Sequence, residues 1–326
     1  MRVMLPWRFI VDRTPPPRYR ALLPVVFGAF LTARCGNSPM GPSPPTGRLA
    51  LTCPAATVAP AITAAAASVT FAEPNVTGGT APVSVRCMPA SGSAFGIGTS
   101  QVTCVGTDAL QQTSSCEFGV TVVPTRFVAF GDSITEGKLA SGIVIANGYP
   151  LGLQTLLVNG YATPSIVVVN RGLGGETAVD GLIRLPGVLS GEAPQALLLL
   201  EGFNDLSGGN SAAIPSAVDA LRRMVRLARN RGLSVFLATL LPERPGGSRA
   251  GGLKLIPAAN DQIRQIAMSE GATLVDLYQD FGGSPDPDIG DDGLHPTEGG
   301  YARIALSFFT IIQTTLRLPP GEPFLP

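Results

Sequence analysis

The sequence predicts an α/β protein in which a parallel sheet is covered by helices on both faces, preceded by a small β-sandwich. Two observations support this fold class. From Thr125 onward, five short apolar runs, of the kind expected for strands buried on both faces, alternate with amphipathic helical patterns. Between residues 48 and 123, short β-branched strands are instead separated by turn residues, and four cysteines fall in the same stretch.

The composition is that of a globular, loop-rich protein with enough apolar material for a large core. Of 326 residues, 45% are hydrophobic and 14% are charged, and there are 39 glycines and 30 prolines. The length accommodates two domains. The formal net charge is zero and no basic stripe stands out, so electrostatics give no reason to expect a nucleic acid partner.

The first 35 residues are typical of an export signal. Arg18 and Arg20 precede a mostly apolar stretch, 21–33, which is too short to span a bilayer as a helix but fits the core of a signal peptide. The stretch leads to Cys35 and resembles a bacterial lipoprotein signal, in which this cysteine carries a lipid anchor. Arg34 stands where such signals have a small residue, so a plain cleaved secretory signal stays open as the equal alternative. Both interpretations predict an extracytoplasmic protein, either secreted or anchored at the cell envelope.

The next two segments are predicted to be a linker and a β-rich domain. Residues 36–47 are rich in proline, glycine and serine and lack apolar periodicity, so they are predicted to form a linker. Residues 48–124 are predicted to form a small β-sandwich of immunoglobulin type. Its strand patterns are SVTF, PVSVRC, SQVTCVGT and CEFGVTVV.

The cysteines of this domain predict disulfide bonds formed in an oxidising compartment. They are Cys53, Cys87, Cys104 and Cys116. Four cysteines allow three pairings, and the sequence does not choose among them. A zinc site is the alternative, but neither a CxxC pair nor a nearby histidine supports it.

The same segment resembles the HYR (hyalin repeat) module. The resemblance rests on Cys53-Pro54 at its start, on the run PVSVRCMPASGSAFGIGTSQVTCVGTD, and on the closing CEFGVTVV. It implies an extracellular adhesive or spacer module with no catalysis of its own. Any contact with a cell surface or matrix is therefore expected to involve this module.

The second domain, residues 125–326, carries the predicted parallel sheet. Its strand patterns are FVAF, SIVVVN, ALLLLEG, SVFLATLLP and ATLVDLY. Helical patterns cover 218–230, 257–270 and 297–316, and the last of these begins after Pro296 with Thr297 and Glu298 available as caps. Four polar stretches follow the strands, namely GDSITEG, RGLGGET, FND and the loop ending in DDGLHP. Because ligands of open parallel sheets bind beyond the carboxyl ends of the strands, these stretches are predicted to form one site.

The predicted site suits acyl transfer. His295 is the only histidine in the chain, so any Ser–His mechanism must use it. Ser133 follows a strand on a glycine-containing turn and is the candidate nucleophile, His295 is the general base, and Asp292 holds the imidazole. Asp291 is the alternative acid, but the three-residue spacing to His295 favours Asp292.

Negative charge that develops on a substrate carbonyl oxygen needs hydrogen-bond donors. The candidates are the backbone N–H groups of Ser133 and Gly175 and the side-chain amide of Asn204. Gly174 is the alternative to Gly175. Two other groups of acidic residues are expected nearby: Asp132 and Asp205 bracing the loops, and Glu201 as either a supporting partner or a solvated residue.

The C-terminal 200 residues resemble an SGNH hydrolase of the GDSL esterase/lipase superfamily. The resemblance rests on four blocks in order, namely GDSITEG, NRGLGGET, GFND and DDGLHP. It implies a three-layer α/β/α, flavodoxin-like fold. It also implies a nucleophile at Ser133, oxyanion donors at Gly175 and Asn204, and a catalytic pair at Asp292 and His295. Two positions depart from the family pattern: Glu176 stands where aspartate is common, and Phe203, between Gly202 and Asn204, is expected to narrow the pocket.

The function expected from the sequence is that of an exported serine esterase acting on carboxylic esters without a metal or organic cofactor. The alternatives within the superfamily are a lipase, a lysophospholipase, a thioesterase and a polysaccharide O-deacetylase. Loops 137–149, 207–215 and 242–256 are expected to decide among them, and their Gly, Ala and Leu content favours a small or apolar acyl group. An alternative from another class is a surface adhesion protein whose hydrolase-like domain is inactive.

Overall fold

The computed structural model describes residues 47–61, 66–146 and 148–316. The predicted signal peptide, the predicted lipid anchor at Cys35 and all but the last residue of the predicted linker therefore lie outside the described residues. Among the helices that the structure does describe, none combines the length and the apolar character that a bilayer crossing requires.

Eight strands precede Pro124, and we call this part of the chain the β module. They are β1 (Ala50–Thr52), β2 (Thr57–Pro60), β3 (Ala66–Ser68), β4 (Asn75–Thr77), β5 (Ser84–Met88), β6 (Ala94–Gly96), β7 (Gly98–Thr107) and β8 (Thr113–Val123). The largest sheet has the order β2-β8-β7-β5, while β1 pairs with β4 and β3 with β6. Alternate residues of β7 and β8, including Val102, Val120 and Val122, point into a small core.

Two disulfides tie these strands together. Cys87 is bonded to Cys104, its direct cross-strand partner on β7, and Cys53, just after β1, is bonded to Cys116 on β8. The prediction of a strand at SVTF is wrong beyond Ser68. Hydrogen bonds of Val69 with the turn around Ser93 replace the ladder there, because Val69 N–H donates to the Ser93 carbonyl at 3.1 Å.

The second part of the chain, which we call the parallel-sheet domain, contains the five strands that the sequence predicts. They are β9 (Arg126–Gly131), β10 (Val167–Gly172), β11 (Ala196–Leu200), β12 (Ser234–Ala238) and β13 (Thr273–Val275). All are parallel, in the order β10-β9-β11-β12-β13. Within this domain the order is 2-1-3-4-5, which is that of flavodoxin-like folds and confirms the predicted fold class.

Helices connect these strands. They are α1 (Ser133–Glu136), α2 (Tyr149–Tyr161), α3 (Ala178–Glu192), α4 (Phe203–Leu206), α5 (Ile214–Asn230), α6 (Ile256–Glu270), α7 (Leu277–Asp280) and α8 (Glu298–Leu316). The three predicted helices correspond to α5, α6 and α8. Helix α5 begins four residues earlier than predicted because Pro215 occupies its first turn, where proline is favourable. The long helices α2 and α3 were not singled out by the sequence pattern.

The helices form a layer on each face of the sheet. Helix α2 packs against α8, whereas α3 packs against α5 and α5 against α6. From β9 the chain first moves to β10 at one edge of the sheet and then returns past β9 to β11 and onward to β13. Because both kinds of connection are right-handed, helices of connections that run in opposite directions across the sheet lie on opposite faces. Between the layers, all five residues of β11 are fully buried. The three-layer arrangement leaves the carboxyl ends of the strands as a common rim.

The β module contacts the opposite end of the sheet. Only Pro124 and Thr125 separate β8 from β9. The Gln195 side chain, just before β11, accepts the Thr125 N–H at 2.6 Å and donates to the Ala61 carbonyl at 3.2 Å. Thr99 Oγ1 of the module also donates to the carbonyl of Leu316 at the end of α8. The module therefore lies at the amino ends of the strands.

Candidate active site

Ser133 lies at the point where β9 ends and α1 begins. Asp132 caps this short helix, and its Oδ1 accepts the Ile134 N–H at 2.9 Å. The preceding residue must be glycine, because a Cβ on Gly131 would collide with the Leu200 carbonyl and with Thr135 Oγ1. The sequence Gly-Asp-Ser therefore places the serine at the rim, directly beyond the central strand of the sheet.

His295 reaches this serine from the other end of the domain, 162 residues away in sequence. Its Nε2 lies 2.9 Å from Ser133 Oγ, and its Nδ1 lies 2.5 Å from Asp292 Oδ2. A carboxylate can only accept hydrogen bonds, so Nδ1 must carry the proton that faces Asp292. In the neutral imidazole Nε2 is then the acceptor, and Ser133 donates its hydroxyl proton to it.

Asp292 is held as a carboxylate by three donors. Its Oδ2 accepts from the imidazole, and its Oδ1 accepts the N–H groups of Leu294 at 3.1 Å and His295 at 3.0 Å. Burial opposes ionisation here, but these hydrogen bonds outweigh it and lower the pKa of Asp292. Asp291 is exposed, and the Asp292 carboxylate is the one that contacts the imidazole.

The two groups that would exchange a proton are shielded from water. Ser133 is 5% exposed and His295 is 2% exposed. Such burial strengthens the hydrogen bonds between them, because the local dielectric constant is lower than that of water. The three side chains form one continuous chain of hydrogen bonds, while their roles in a reaction stay predictions.

The proposed oxyanion donors lie on two neighbouring loops. A Cβ built on Gly174 would lie 3.8 Å from Ser133 Cβ, so the loop after β10 passes directly beside the serine. Gly175 follows it with φ +83° and open space where a side chain would be. Asn204, on α4, donates from Nδ2 to the Glu176 carbonyl at 2.8 Å, which joins the two loops. The donor roles of Gly175 and Asn204, and the alternative of Gly174, stay predictions.

Acidic side chains hold these loops by accepting hydrogen bonds from their backbones or by pairing with an arginine. As expected, Asp132 and Asp205 accept backbone N–H groups, and Asp205 Oδ2 receives that of Ala178 at 2.8 Å. Glu176 forms an ion pair with Arg184, whose guanidinium lies 4.1 Å from the centre of the Phe130 ring. The acidic residues thus connect the strand ends to the start of α3.

Burial raises the pKa values of two carboxyl groups near the serine, those of Asp132 and Glu201. Burial raises the pKa of Asp132 to about 7, with the charges of Asp205 and Glu176 adding to the effect. Glu201 is 1% exposed, so of the two alternatives given for it the solvated one is wrong and the supporting partner is retained. Its burial, together with the charge of Asp132, raises the pKa of Glu201 well above its usual value. Phe203 likewise packs in the core rather than narrowing the pocket, since its side chain is 2% exposed.

Two segments next to Ser133 expose apolar side chains, and we call them the apolar rim: the hairpin at 138–145 and the loop after β10. Residues 138–145 form a tight hairpin whose ends pair at Lys138 and Val144. Its Ala140 packs against Gly290 of the histidine loop, where a Cβ would lie 2.7 Å from Ala140 Cβ. The returning arm of the hairpin exposes Ile143 and Val144, and the loop after β10 exposes Leu173 beside Gly174. Large apolar side chains therefore lie in water near the mouth of the site.

Metal ligands are not grouped in the described part of the chain. No set of three or more histidine, cysteine, aspartate or glutamate side chains there is placed to hold a metal ion. The acidic residues near Ser133 are instead occupied by backbone N–H groups or by Arg184.

Two features of the site were missed by sequence reasoning. Arg184 lies on α3, a helix that the pattern did not single out, and its ion pair with Glu176 could have been found only from that helix. A second loop, between β12 and α6, contacts the segment that carries Asp292. This loop is rich in glycine and proline and carries no motif, so the sequence contains no signal for that contact.

A serine, an imidazole and a carboxylate in contact at the carboxyl rim of a flavodoxin-like sheet define a class of α/β ester hydrolases. The model of the GDSL-like lipase/acylhydrolase family matches residues 129–303, more than half of the chain, so the chain belongs to that family. The model of the HYR domain matches residues 44–122. Both resemblances noted in the sequence are thereby confirmed.

Characterised relatives agree with this assignment. The chain is 30% identical over 188 residues to Esterase TesA of Pseudomonas aeruginosa, covering 57% of this chain and 87% of that protein. It is 26% identical over 173 residues to an arylesterase of Vibrio mimicus, covering 52% and 80%. A solved lipase/acylhydrolase from Enterococcus faecalis superposes with a TM-score of 0.50 at 24% identity, covering 61% of this chain and 99% of that one, and shows the same fold. The chain is a carboxylic ester hydrolase.

Proposed function

We propose that this protein is an exported serine esterase that works through an acyl-enzyme on Ser133. The observation that supports this most strongly is the pair of hydrogen bonds that links Ser133 Oγ to the only imidazole and the imidazole to Asp292. A hydroxyl becomes an effective nucleophile when a neighbouring base accepts its proton. The order of donors and acceptors at this site is the one that such a step needs.

The reaction begins when Ser133 Oγ attacks the ester carbonyl carbon while its proton moves to His295 Nε2. Asp292 stabilises the imidazolium that forms, because its ionised oxygen faces Nδ1. The N–H groups of Ser133 and Gly175 and the Asn204 amide stabilise the charge on the carbonyl oxygen. The imidazolium then protonates the departing alkoxide, and water, activated by the same imidazole, releases the acid from Ser133.

The apolar rim supports a small or apolar acyl group as the preferred substrate portion. Ile143, Val144 and Leu173 are 61%, 50% and 48% exposed, so an acyl chain that covers them removes apolar surface from water. Of the alternatives, a lipase, lysophospholipase or thioesterase also fits an apolar rim. A polysaccharide O-deacetylase would instead need polar contacts for the sugar around the serine.

Export is supported by the amino-terminal sequence and by the cysteines. Residues 1–35 have the pattern of a signal peptide, and the two disulfides of the β module require an oxidising compartment to form and persist. We propose a mature protein with a linker at 36–47, an HYR-like module at 48–124 and a hydrolase domain at 125–326. Its start is either anchored by a lipid at Cys35 or released by cleavage of a plain secretory signal. The HYR-like module is the surface for contact with the cell surface or matrix.

A comparison of the natural protein with Ser133→Ala tests the esterase proposal. We expect the natural protein to hydrolyse short p-nitrophenyl esters and Ser133→Ala to lose at least about 10³-fold in kcat, since loss of a nucleophilic serine removes the acyl-enzyme route. A fluorophosphonate probe should label the natural protein alone. Equal rates for the two proteins would reject the esterase and support the inactive adhesion protein.

Substrate panels test the proposed substrate class, and lipid labelling tests the anchor at Cys35. Rates on phospholipids, thioesters, acetylated glycans and short esters distinguish the alternatives, and Ile143→Ser should slow long-chain esters more than acetyl esters. Incorporation of labelled palmitate that is lost in Cys35→Ala indicates the lipid anchor. Protein that is found only in the medium and carries no labelled palmitate indicates the plain secretory signal instead.

A further inference from the structure

The loop between β12 and α6 lies against the loop that carries the catalytic acid. We call residues 243–252 the buttress loop and residues 286–294 the acid loop. Two backbone hydrogen bonds join them at Asp292 and at the residue that follows it. Arg244 N–H donates to the Gly293 carbonyl at 2.8 Å, and Arg249 N–H donates to the carbonyl of Asp292 itself at 2.7 Å.

At Gly247 and Gly293 the backbones of the two loops pack directly against each other. A Cβ on Gly247 would lie 2.5 Å from the Asp292 carbonyl oxygen and would collide with the Cα of Gly293. A Cβ on Gly293 would in turn lie 2.9 Å from the Arg244 carbonyl oxygen. The position of Asp292 therefore depends on a surface that admits glycine and nothing larger at Gly247.

The Arg244 side chain holds the other half of the acid loop. Its Nη2 donates to the Ile289 carbonyl at 2.6 Å, and its Nε is shared between the carbonyls of Ile289 at 3.2 Å and Gly290 at 3.3 Å. Nη1 lies 2.6 Å from the Asp286 carboxylate, which is 70% exposed and so contributes little as an ion pair. The bonds to the carbonyls are the stronger constraint, because they are charge-assisted and converge on one rigid guanidinium.

This restraint extends to the histidine. Gly290 accepts from Arg244 through its carbonyl, and its N–H donates to the His295 carbonyl at 2.8 Å. Glu243, next to Arg244, closes the buttress loop on itself by accepting backbone N–H groups at Gly252 and Leu253. The buttress loop is thus held closed by Glu243. It donates hydrogen bonds to carbonyl groups of the acid loop before Asp292, at Asp292 and after it.

We propose that Arg244 and Gly247 are positioning residues that set the geometry of Asp292 and His295. The proposal rests on the esterase function proposed above. The carboxylate must meet Nδ1 for the imidazole to keep the tautomer that accepts the serine proton, and the buttress loop determines where that carboxylate lies. Neither residue contacts the hydroxyl of Ser133, so their effect passes through the acid loop alone.

Three variants test the proposal in the full chain. Arg244→Ala removes all the side-chain bonds, Arg244→Lys keeps the charge but loses the forked donors, and Gly247→Ala removes no donor but pushes on Asp292. We expect kcat to fall by about 10²-fold in Arg244→Ala and Gly247→Ala, the size of effect that a misplacement of about 1 Å produces, with KM nearly unchanged. The kcat of Arg244→Lys should lie between the kcat of these two variants and that of the natural protein.

Matched controls separate this effect from general loss of stability. Arg226→Ala removes an exposed arginine that pairs with Glu270, and Gly187→Ala adds a methyl group to α3 where no atom lies within 4 Å. Both should keep the kcat of the natural protein. Thermal unfolding of every variant shows which proteins are folded at the assay temperature.

The single histidine of the chain supplies a direct reading of the geometry. In protein free of any histidine tag, the NMR signal of the His295 Nδ1 proton reports its hydrogen bond to Asp292 without overlap from other imidazoles. We expect this signal to shift upfield or exchange away in Arg244→Ala and Gly247→Ala and to persist in both controls. If the signal and kcat are unchanged in folded Gly247→Ala and Arg244→Lys, the proposal is wrong. If the natural protein hydrolyses no ester but the signal responds as expected, the esterase proposal fails and the positioning role stands.

Discussion

The surroundings of the carboxyl groups near Ser133 shift their pKa values in opposite directions. Asp292 receives three hydrogen bonds that lower its pKa, whereas burial raises the pKa of Asp132 and of Glu201. Charge is thereby stabilised where it faces the imidazole and disfavoured by burial at Asp132 and Glu201. A lower negative charge beside the serine favours the oxyanion of the proposed acyl transfer.

Glu243 provides a test of how such burial affects stability. Its side chain is 3% exposed, and burial raises its pKa from 4.5 to about 7. The folded protein therefore holds this proton more tightly than the unfolded chain, and the stabilisation present below about pH 4 is lost as pH rises through about 7. Glu243→Gln keeps an oxygen acceptor for the two N–H groups but cannot ionise.

We expect Glu243→Gln to match the natural protein in free energy of unfolding near pH 4 and to exceed it by roughly 2–3 kcal/mol at pH 8. Urea unfolding at the two pH values measures the difference. A constant difference at both pH values would mean that Glu243 is charged in the folded protein.

Individual site residues were predictable where chemistry leaves few choices. A chain with one histidine gives one candidate base, and the spacing of Asp292 to His295 identified the side chain that the structure places against Nδ1. The burial of Glu201 and the hydrogen bonds of the Arg244 side chain to the acid loop were not predictable, because each depends on elements distant in sequence. Glu201 was equally compatible with solvent until the structure placed it below the loops.

At the scale of elements, strands were easier to recognise than helices. The five apolar runs correspond to β9–β13 because buried parallel strands need apolar residues on both faces. Helices α2 and α3 carry Gly152, Gly160, Pro186 and Gly187, residues of low helix propensity that obscured their periodicity. Tertiary packing of α2 against α8 and of α3 against α5 maintains them nonetheless.

The strands of the β module depend on disulfides that close loops of different lengths. Cys53–Cys116 encloses 63 residues and Cys87–Cys104 encloses 17. In the chain-entropy account the longer loop stabilises more, by about 4 kcal/mol against about 3 kcal/mol. We expect the double variant Cys53→Ser/Cys116→Ser to unfold at a lower urea concentration than the double variant Cys87→Ser/Cys104→Ser. The reverse order would show that strain or packing around the cystines outweighs loop entropy.

At the scale of the whole molecule, the β module and the site lie at opposite ends of the parallel sheet. The module joins β9 through two residues and contacts the amino ends of β9 and β11 through Gln195, whereas Ser133 follows the carboxyl end of β9. The sequence predicted two modules in this order, but it contained no signal for the contacts of Gln195 and Thr99. These contacts depend on how the folded domains meet.

Immobilisation from either end tests this arrangement. In a Cys35→Ser background, Gly47→Cys couples the protein to beads through the β module, and Ser141→Cys couples it through the exposed hairpin beside the site. We expect the first attachment to keep the solution rate on a bulky ester and the second to lose most of it, with soluble forms of both variants equally active. Equal losses on the beads would contradict the opposite placement.

The two-residue joint between β8 and β9 has a consequence for any protein fixed by its amino-terminal side. With so short a connection the catalytic rim cannot fold back onto the β module, and Ser133 stays at the end of the sheet that faces away from it. Esters belonging to polymers or particles too large to diffuse underneath would still meet the serine.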